Sequence, residues 1–191
     1  MPRDGRVVRG RLEQAALELF SERGYEGTTT AEIAARAGVT ERTYFRHFPD
    51  KREVLFASED ELRDVTTRAL RAVPAGLEPL PALLRAFHDV VPLIERNRSL
   101  AALRAPVIHA AAPLREREHA KAAALVDLVA RTLEERGVAA RTALLCARVG
   151  MDAFSTAIRR WSSEAGDLHG SVDAAFEELR LLTAPLRADT P

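Results

Sequence analysis

Cysteine is nearly absent from this chain of 191 residues, which contains only Cys146. A single cysteine excludes an internal disulfide bond. The five histidines are scattered along the sequence, at His47, His88, His109, His119 and His169. Because no Cys/His cluster with the spacing of metal ligands occurs, we expect neither a structural zinc site nor a cofactor.

Long hydrophobic runs are also missing. No apolar stretch reaches the roughly 18 residues that a membrane helix needs, and the first residues, MPRDGRVVRGR, have no apolar segment typical of a signal peptide. Apolar residues still make up 47% of the chain, which is enough for a substantial core. We therefore expect a soluble, cytoplasmic protein without a membrane partner.

Neither sign of charge is in excess, because 28 Lys and Arg residues balance 28 Asp and Glu residues. This balance argues mildly against nucleic-acid binding, since a protein that binds duplex DNA usually carries a basic face. Basic residues are nevertheless concentrated before the first helix and around residues 42–52, as Arg3, Arg6, Arg9, Arg11, Arg42, Arg46, Lys51 and Arg52. The first arginines suit either a solvated tail or an arm that reaches into a DNA groove.

Residues 29–48, TTAEIAARAGVTERTYFRHF, predict two short helices that meet at a glycine. Thr29 and Glu32 have the spacing of a capping box, in which each side chain accepts a hydrogen bond from the other residue's backbone N–H. Gly38 suits the left-handed backbone at the end of the first helix, and Thr40 suits the cap of the second. This pattern is typical of a helix-turn-helix, whose second helix enters the major groove.

Apolar periodicity predicts helices over the rest of the chain and no β-strand. A first helix ends at Gly24, and a long fourth helix runs from Lys51 to about Val73. After a Pro/Gly connector, five further helices have approximate limits at residues 81–96, 100–112, 114–136, 141–163 and 171–186. The sequence therefore predicts an all-α fold of about nine helices.

Residues 16–56, ALELFSERGYEGTTTAEIAARAGVTERTYFRHFPDKREVLF, resemble the N-terminal domain of the TetR family of bacterial transcriptional regulators. The spacing that carries this resemblance is that of Phe20, Gly24, Thr28, Ile33, Ala34, Gly38, Phe48 and Lys51. It implies an N-terminal three-helix helix-turn-helix DNA-binding domain, residues 6–52. A long fourth helix would join this domain to a C-terminal helical ligand-binding and dimerisation domain, residues 53–187.

The resemblance implies DNA contacts for nine residues, Thr28, Thr40, Glu41, Arg42, Thr43, Phe45, Arg46, His47 and Lys51. Arg42 and Thr43 suit base contacts, because arginine can donate two hydrogen bonds to guanine and a threonine methyl can pack on thymine. Phosphate contacts fall on Thr28, Thr40, His47 and Lys51. Most members have a tyrosine in place of Phe45, which cannot donate to a phosphate, and Tyr44 is expected to pack inward with Phe48.

The resemblance also implies a small-molecule pocket in the C-terminal domain. Residues that suit its lining, or that suit orienting a ligand, are Phe87, His88, Val91, Leu103, Val107, His109, Leu125, Arg148, Asp152 and Phe154. Each of these residues, taken alone, is more often ordinary core or a satisfied buried polar group, and Arg148 and Asp152 are spaced to pair with each other. The C-terminal half is weakly similar to sensor domains that respond to acyl-CoA or other lipophilic compounds, so the effector stays open.

The last two predicted helices suit a homodimer interface. Small residues at helical spacing would let another helix approach closely, namely Cys146, Gly150, Ala153 and Ala157. The final helix adds the apolar residues Val172, Phe176, Leu179 and Leu182. In the family such helices form a four-helix interface, and a two-fold dimer would present its second helix-turn-helix helices ~34 Å apart to a palindromic operator. The alternative is that both faces fill the subunit's own core.

We therefore interpret the chain as a sequence-specific DNA-binding transcriptional regulator. The expected mechanism is repression at a palindromic operator, released when a small-molecule effector acts through the fourth helix. An enzyme is not expected, because the motifs GxSxG, GxxxxGK[ST] and HExxH are absent. The alternative is a ligand-binding or adaptor protein with a vestigial helix-turn-helix that serves only packing.

Overall fold

The computed structural model describes residues 3–163 and 166–183, which form nine α-helices, one short 3-10 helix and no strand. The elements in order are α1 Arg3–Arg23, α2 Thr30–Arg36, α3 Glu41–His47, the 3-10 helix Glu53–Phe56, α4 Glu59–Ala72, α5 Pro79–Arg96, α6 Arg98–Ala110, α7 Ala112–Glu135, α8 Ala140–Ser163 and α9 Leu168–Thr183. The all-α prediction is confirmed. The predicted end of the last helix near residue 186 lies outside the described residues, as do the side chains of Arg3 and Arg6.

The fourth helix begins later than the sequence predicts, at Glu59 instead of Lys51. The Asp50 carboxylate accepts hydrogen bonds from the backbone N–H groups of Arg52 at 2.7 Å and of Glu53 at 3.2 Å. A 3-10 turn follows, in which Val54, Leu55 and Phe56 are all buried. Consecutive residues of an α-helix point about 100° apart, so three buried residues in succession do not fit one face of a surface helix.

The chain packs as two compact units. The first unit comprises the described residues up to Glu61 together with Asn97–Ala123, and the second comprises Leu62–Arg96 and the described residues from Ala124 onward. The predicted division into residues 6–52 and 53–187 concerns function and stays a prediction. Within the described residues, no helix combines the length and the apolar character needed to cross a membrane.

The core of the first unit holds the helix-turn-helix in place. Its largest fully buried side chains are Leu12, Ile33, Tyr44, Phe48, Leu55, Phe56, Ile108 and Leu114. Helices α2 and α3 have seven residues each, and isolated helices of that length are not stable in water. Their stability therefore depends on burial in this core, to which α1, the 3-10 helix and α6 also contribute.

The core of the second unit is built on close contact between α5, α8 and α9. The rings of Phe87 and Phe154 stack with centroids 4.3 Å apart, and the Phe176 ring lies 6.0 Å from that of Phe87. Gly150 allows α8 to approach α5, because a Cβ atom there would lie only 2.7 Å from Leu83 Cδ1. The alternation of small and aromatic residues thus sets how closely these helices pack.

Candidate nucleic-acid interface

The first helix of the helix-turn-helix starts with the capping box that the sequence predicts. The Thr29 backbone N–H donates to Glu32 Oε2 at 2.8 Å, and the Glu32 backbone N–H donates to Thr29 Oγ1 at 3.2 Å. At the other end, Gly38 has a φ of +69°, and the Val39 N–H donates to the Ala34 carbonyl at 2.9 Å. The turn between α2 and α3 is therefore fixed at both ends by local hydrogen bonds.

The recognition helix, α3, is held by its own cap and by a buried tyrosine. Thr40 Oγ1 accepts a hydrogen bond from the Thr43 N–H at 3.2 Å. Tyr44 is fully buried, and its hydroxyl donates to the Asp50 carbonyl at 3.1 Å. Burial of the Tyr44 ring raises the pKa of its hydroxyl above the usual range. The predicted inward packing of Tyr44 and Phe48 is confirmed.

The outer face of α3 carries most of the predicted base-reading residues. Glu41, Arg42, Phe45 and Arg46 are exposed, and Thr43 is partly exposed. Glu41 is oriented by the Thr30 hydroxyl, which donates to Glu41 Oε1 at 2.6 Å. Within the described residues, neither Arg42 nor Arg46 has a carboxylate partner. The face thus presents two unpaired guanidinium groups beside an exposed aromatic ring.

Charge around α3 is distributed more favourably for DNA than the net charge indicates. On α2, Arg36 pairs with Glu18 at 3.2 Å and with Glu22 at 3.1 Å. Arg23 likewise pairs with Glu32 at 3.1 Å. These exposed carboxylates are neutralised by arginines of α1 and α2, which leaves the cations of α3 without competition from them.

Two of the predicted phosphate contacts have structural roles that the sequence did not reveal. The Thr28 side chain is buried, and its hydroxyl donates to the Gly24 carbonyl at 3.0 Å and lies 3.3 Å from the Leu19 carbonyl. The Lys51 ammonium donates to the carbonyls of Tyr25 at 2.8 Å and of Thr28 at 2.9 Å. Lys51 Nζ also lies 4.0 Å from the Tyr25 ring centroid. Both side chains therefore fix the loop that leads into α2.

His47, at the end of α3, is partly buried, and its Nε2 atom has no hydrogen-bond partner. Burial lowers the pKa of His47 below its ordinary value, and the nearby Arg46 and Arg9 lower it further. The ring is therefore neutral at neutral pH. It can donate one N–H to a phosphate, and an approaching anion would favour its protonation.

The predicted ligand-binding residues are divided between the two units. Phe87, Val91, Leu125 and Phe154 are buried in the core of the second unit, where His88 contacts α9 and Arg148 and Asp152 are exposed without an ion pair between them. In the first unit, Val107 is buried, whereas Leu103 is 59% exposed. His109 is exposed there, with Nδ1 2.8 Å from the Ala105 carbonyl oxygen. Their common role in a pocket stays a prediction.

The predicted dimerisation faces are partly used inside the chain. Gly150 and Ala157 on α8, and Val172 and Phe176 on α9, are buried in the second unit itself. A separate apolar surface remains on the same helices, where Leu144, Leu145, Leu181 and Leu182 are exposed, Leu182 at 84%. The homodimer therefore stays a prediction, and these leucines are its best candidates for contact residues.

Residues 13–58 match the sequence model of a family described as bacterial regulatory proteins, tetR family. The chain is 42% identical over 86 residues to the HTH-type transcriptional regulator TcmR of Streptomyces glaucescens, with 45% of this chain and 38% of that protein covered. It is 38% identical over 95 residues to the HTH-type transcriptional activator FasR of Mycolicibacterium smegmatis, with 48% and 42% covered. The matches thus span about two-fifths of the length of these curated relatives.

A likeness over nearly the whole chain comes from solved structures. FadR of Thermus thermophilus, a TetR-family transcriptional repressor solved in complex with lauroyl-CoA, is 28% identical with a TM-score of 0.52. That comparison covers 96% of this chain and 98% of the FadR chain. The helical architecture beyond residue 58 is therefore shared with a repressor that was solved with lauroyl-CoA bound.

Proposed function

We propose that this chain, whose residues 13–58 match the tetR family of bacterial regulatory proteins, acts as a whole as a sequence-specific transcriptional regulator of that family. It binds double-stranded DNA through α3 and carries out no catalysis. In the commonest form of this activity, it represses transcription from a palindromic operator until a small molecule releases it. A regulator of chromosomal operators works in the bacterial cytoplasm.

The observation that carries this proposal is the exposed outer face of α3. Arg42, Phe45 and Arg46 project from a helix whose cap, turn and buried side are already ordered. Arg42 and Thr43 then read base edges in the major groove. Thr40, His47 and Lys51 set the register on the phosphates, whereas the buried Thr28 acts only through the loop that its hydroxyl holds. Phe45 packs on a sugar or a thymine methyl, because it has no hydroxyl to donate.

A homodimer completes the proposed regulator. The exposed leucines of α8 and α9, Leu144, Leu145, Leu181 and Leu182, form the apolar surface that a second subunit would cover. To bind successive major grooves, the two recognition helices of such a dimer would have to lie about 34 Å apart, one helical turn of DNA. The operator of such a dimer is an inverted repeat.

A fatty acyl-CoA is the effector that we propose, because FadR of Thermus thermophilus, which was solved with lauroyl-CoA, is similar over almost the whole chain. The apolar interior of the second unit offers the matching chemistry. Phe87 and Phe154 now stack across it, so an acyl chain entering there would separate these rings. Helix α4 begins in the first unit and continues into the second, which makes it the candidate element for coupling effector to operator.

Selection of bound sequences from a random DNA pool, with the purified protein at near-physiological salt, tests the DNA-binding function. We expect recovery of one inverted repeat. Arg42→Ala should then reduce affinity for that repeat by ~1 to 3 kcal/mol and relax the preference at one base pair. Arg52→Ala is the matched control, because Arg52 lies beyond α3 and pairs locally with Asp50 at 2.9 Å.

Recovery of no motif would favour the alternative, a ligand-binding or adaptor protein with a vestigial helix-turn-helix. Such a protein would bind all DNA weakly, with affinity that falls steeply as salt rises. Equal losses on the selected repeat and on random DNA would remove Arg42 from the base-reading residues while leaving the regulator itself intact.

A further inference from the structure

Two histidines that lie 81 positions apart in sequence meet between α5 and α9. His88 Nδ1 is 2.7 Å from His169 Nδ1, and the two rings are nearly parallel, with 8° between their planes. On the other side of its ring, His88 Nε2 is 2.8 Å from Asp173 Oδ1. Neither histidine belongs to the DNA-binding surface of the first unit.

The hydrogen bonds determine where the protons of this cluster lie. A carboxylate only accepts, so His88 carries its proton on Nε2 and donates it to Asp173. In the tautomer of His88 with one proton, the Nδ1 atom has a free lone pair, which accepts the Nδ1–H of His169. One proton is thus held between two nitrogen bases, and a carboxylate fixes the ring of the accepting base.

This arrangement is also that of a histidine ligand with its supporting carboxylate. Histidines that bind metals usually donate their other ring N–H to a carboxylate or a carbonyl, which fixes the tautomer and increases the basicity of the ligating nitrogen. Asp173 is such a carboxylate, because it accepts the Nε2–H of His88. The proton between the two Nδ1 atoms occupies the position that a divalent cation would take.

Nearby charge and exposure suit a cation. His169 lies in the first turn of α9, where the helix dipole would repel positive charge. Asp167 opposes that effect, because its carboxylate accepts the backbone N–H groups of His169 at 3.2 Å and of Gly170 at 2.9 Å. The side chains of His88 and Asp173 are 24% and 59% exposed, so an ion can enter from solvent.

We propose that His88 and His169 bind a divalent transition-metal cation, with Zn²⁺ as the best match, through their Nδ1 atoms, and that Asp173 is a positioning residue for His88. Zn–N bonds of about 2.0 to 2.1 Å at a tetrahedral angle require the two nitrogens to be about 3.3 Å apart. Small rotations of the two rings supply that separation from the present 2.7 Å. His169 moves its proton to Nε2, so no proton is released when both rings are neutral.

The site differs from a structural zinc site in its number of protein ligands. Within the described residues, no group of three or more His, Cys, Asp or Glu side chains is arranged to hold a metal. Water therefore completes the coordination, as it does at open metal sites. The ion would join α5 to α9 by two coordinate bonds where one hydrogen bond now joins the rings.

Titration of the untagged full-length protein with ZnCl₂, followed by calorimetry, tests the proposal. We expect one equivalent to bind with a micromolar dissociation constant and to raise the thermal unfolding midpoint, and EDTA should reverse both effects. His88→Gln and His169→Gln should each abolish that binding. Asp173→Asn should weaken it by about 10-fold or more, in keeping with supporting carboxylates elsewhere.

His119→Gln is the matched control, because His119 is an exposed histidine of α7, outside this cluster. It should bind zinc as the unmodified protein does, and circular dichroism should give all four variants the same helix content without metal. Saturable binding that survives in both His88→Gln and His169→Gln would overturn the proposal, as would the absence of a 1:1 event below ~100 μM Zn²⁺. Loss of binding in His119→Gln alone would also overturn it.

Discussion

Two side chains near the recognition helix, those of Lys51 and Thr28, hold the backbone of the loop before α2. The Lys51 ammonium donates to two carbonyls of the loop before α2, and the Thr28 hydroxyl donates within the same loop. An ammonium has three donors, so Lys51 can hold the loop with two and offer the third to a phosphate. The proposed phosphate contact of Lys51 would then be made by a side chain that is already held in place by the loop.

Replacement of Lys51 by methionine should therefore affect both folding and DNA binding. Two carbonyls lose a charged donor. Hydrogen bonds of that kind contribute about 1.5 to 3 kcal/mol when buried, and these two contribute less because they are only partly buried. We expect chemical denaturation to give a free energy of unfolding lower by about 2 kcal/mol, and fluorescence anisotropy to give equal fractional losses on operator and random DNA. Arg52→Met removes a neighbouring charge from an exposed ion pair and should change stability by less than about 1 kcal/mol. Equal stability of the two variants would contradict the role given to Lys51.

His47 should make the operator affinity depend on pH. Its pKa is lowered in the folded protein, chiefly by burial, so the unfolded chain binds a proton more readily and this residue contributes less to stability as pH falls through its ordinary value near 6.5. A bound phosphate would raise the pKa again. Operator affinity at constant ionic strength should therefore increase as pH falls from about 7.5 to 6, and His47→Gln should flatten this dependence. An unchanged slope in His47→Gln would exclude a phosphate at this ring.

The turn between α2 and α3 depends on one backbone conformation. Gly38 has a positive φ of 69°, and a Cβ atom there would lie 2.6 Å from the Arg11 guanidinium, which donates to the Ala37 carbonyl at the end of α2. Helices of seven residues have little stability of their own. Their mutual angle, and so the direction of α3, is set by this turn and by the core beneath it.

Gly38→Ala should destabilise the first unit, because alanine is strained at positive φ and its methyl group would displace Arg11. We expect a loss of about 1 to 2 kcal/mol in the free energy of unfolding and weaker operator binding. Gly10→Ala is the control, since Gly10 lies within α1 and a Cβ atom there meets nothing within 4 Å. That substitution should leave stability unchanged or raise it by up to about 1 kcal/mol. If both alanine variants unfold alike, the turn does not require glycine.

At the scale of the whole molecule, two continuous helices, α4 and α7, each have residues in both compact units. A regulator must couple an effector site to a DNA site, and coupling requires an element whose state both sites change. A continuous helix is such an element, because it cannot bend sharply without losing hydrogen bonds. We therefore propose that α4 transmits effector binding to the DNA-binding helices and so causes the release of DNA.

Lauroyl-CoA should lower operator affinity by about 5- to 150-fold if the proposed coupling has a typical strength of 1 to 3 kcal/mol. Linkage requires operator DNA to weaken lauroyl-CoA binding by the same factor, so measuring both affinities gives an internal check. Coenzyme A without an acyl chain is the control and should have no effect. Tight binding of lauroyl-CoA with unchanged operator affinity would exclude the α4 mechanism, and absence of binding would exclude this effector class.

The sequence determined the helix-turn-helix almost completely. Thr29, Glu32, Gly38 and Thr40 act through hydrogen bonds and backbone angles within a few residues of one another, so their spacing predicted the caps and the turn that the structure has. Apolar periodicity likewise predicted the all-α class. The sequence did not predict the 3-10 turn at Glu53–Phe56. Three consecutive residues are buried there because distant segments of the chain form the core around them.

Only the tertiary structure decided which distant side chains share a site. Lys51 meets the carbonyl of Tyr25, and His88 meets His169, across separations that no local pattern encodes. The predicted pocket residues were chosen by residue type, yet packing assigned Phe87 and Phe154 to a stacked pair and left Leu103 exposed. Local hydrogen bonds depend on residues that are neighbours in sequence, so the sequence predicts them. The pairing of helices depends instead on the burial of apolar area by the whole chain.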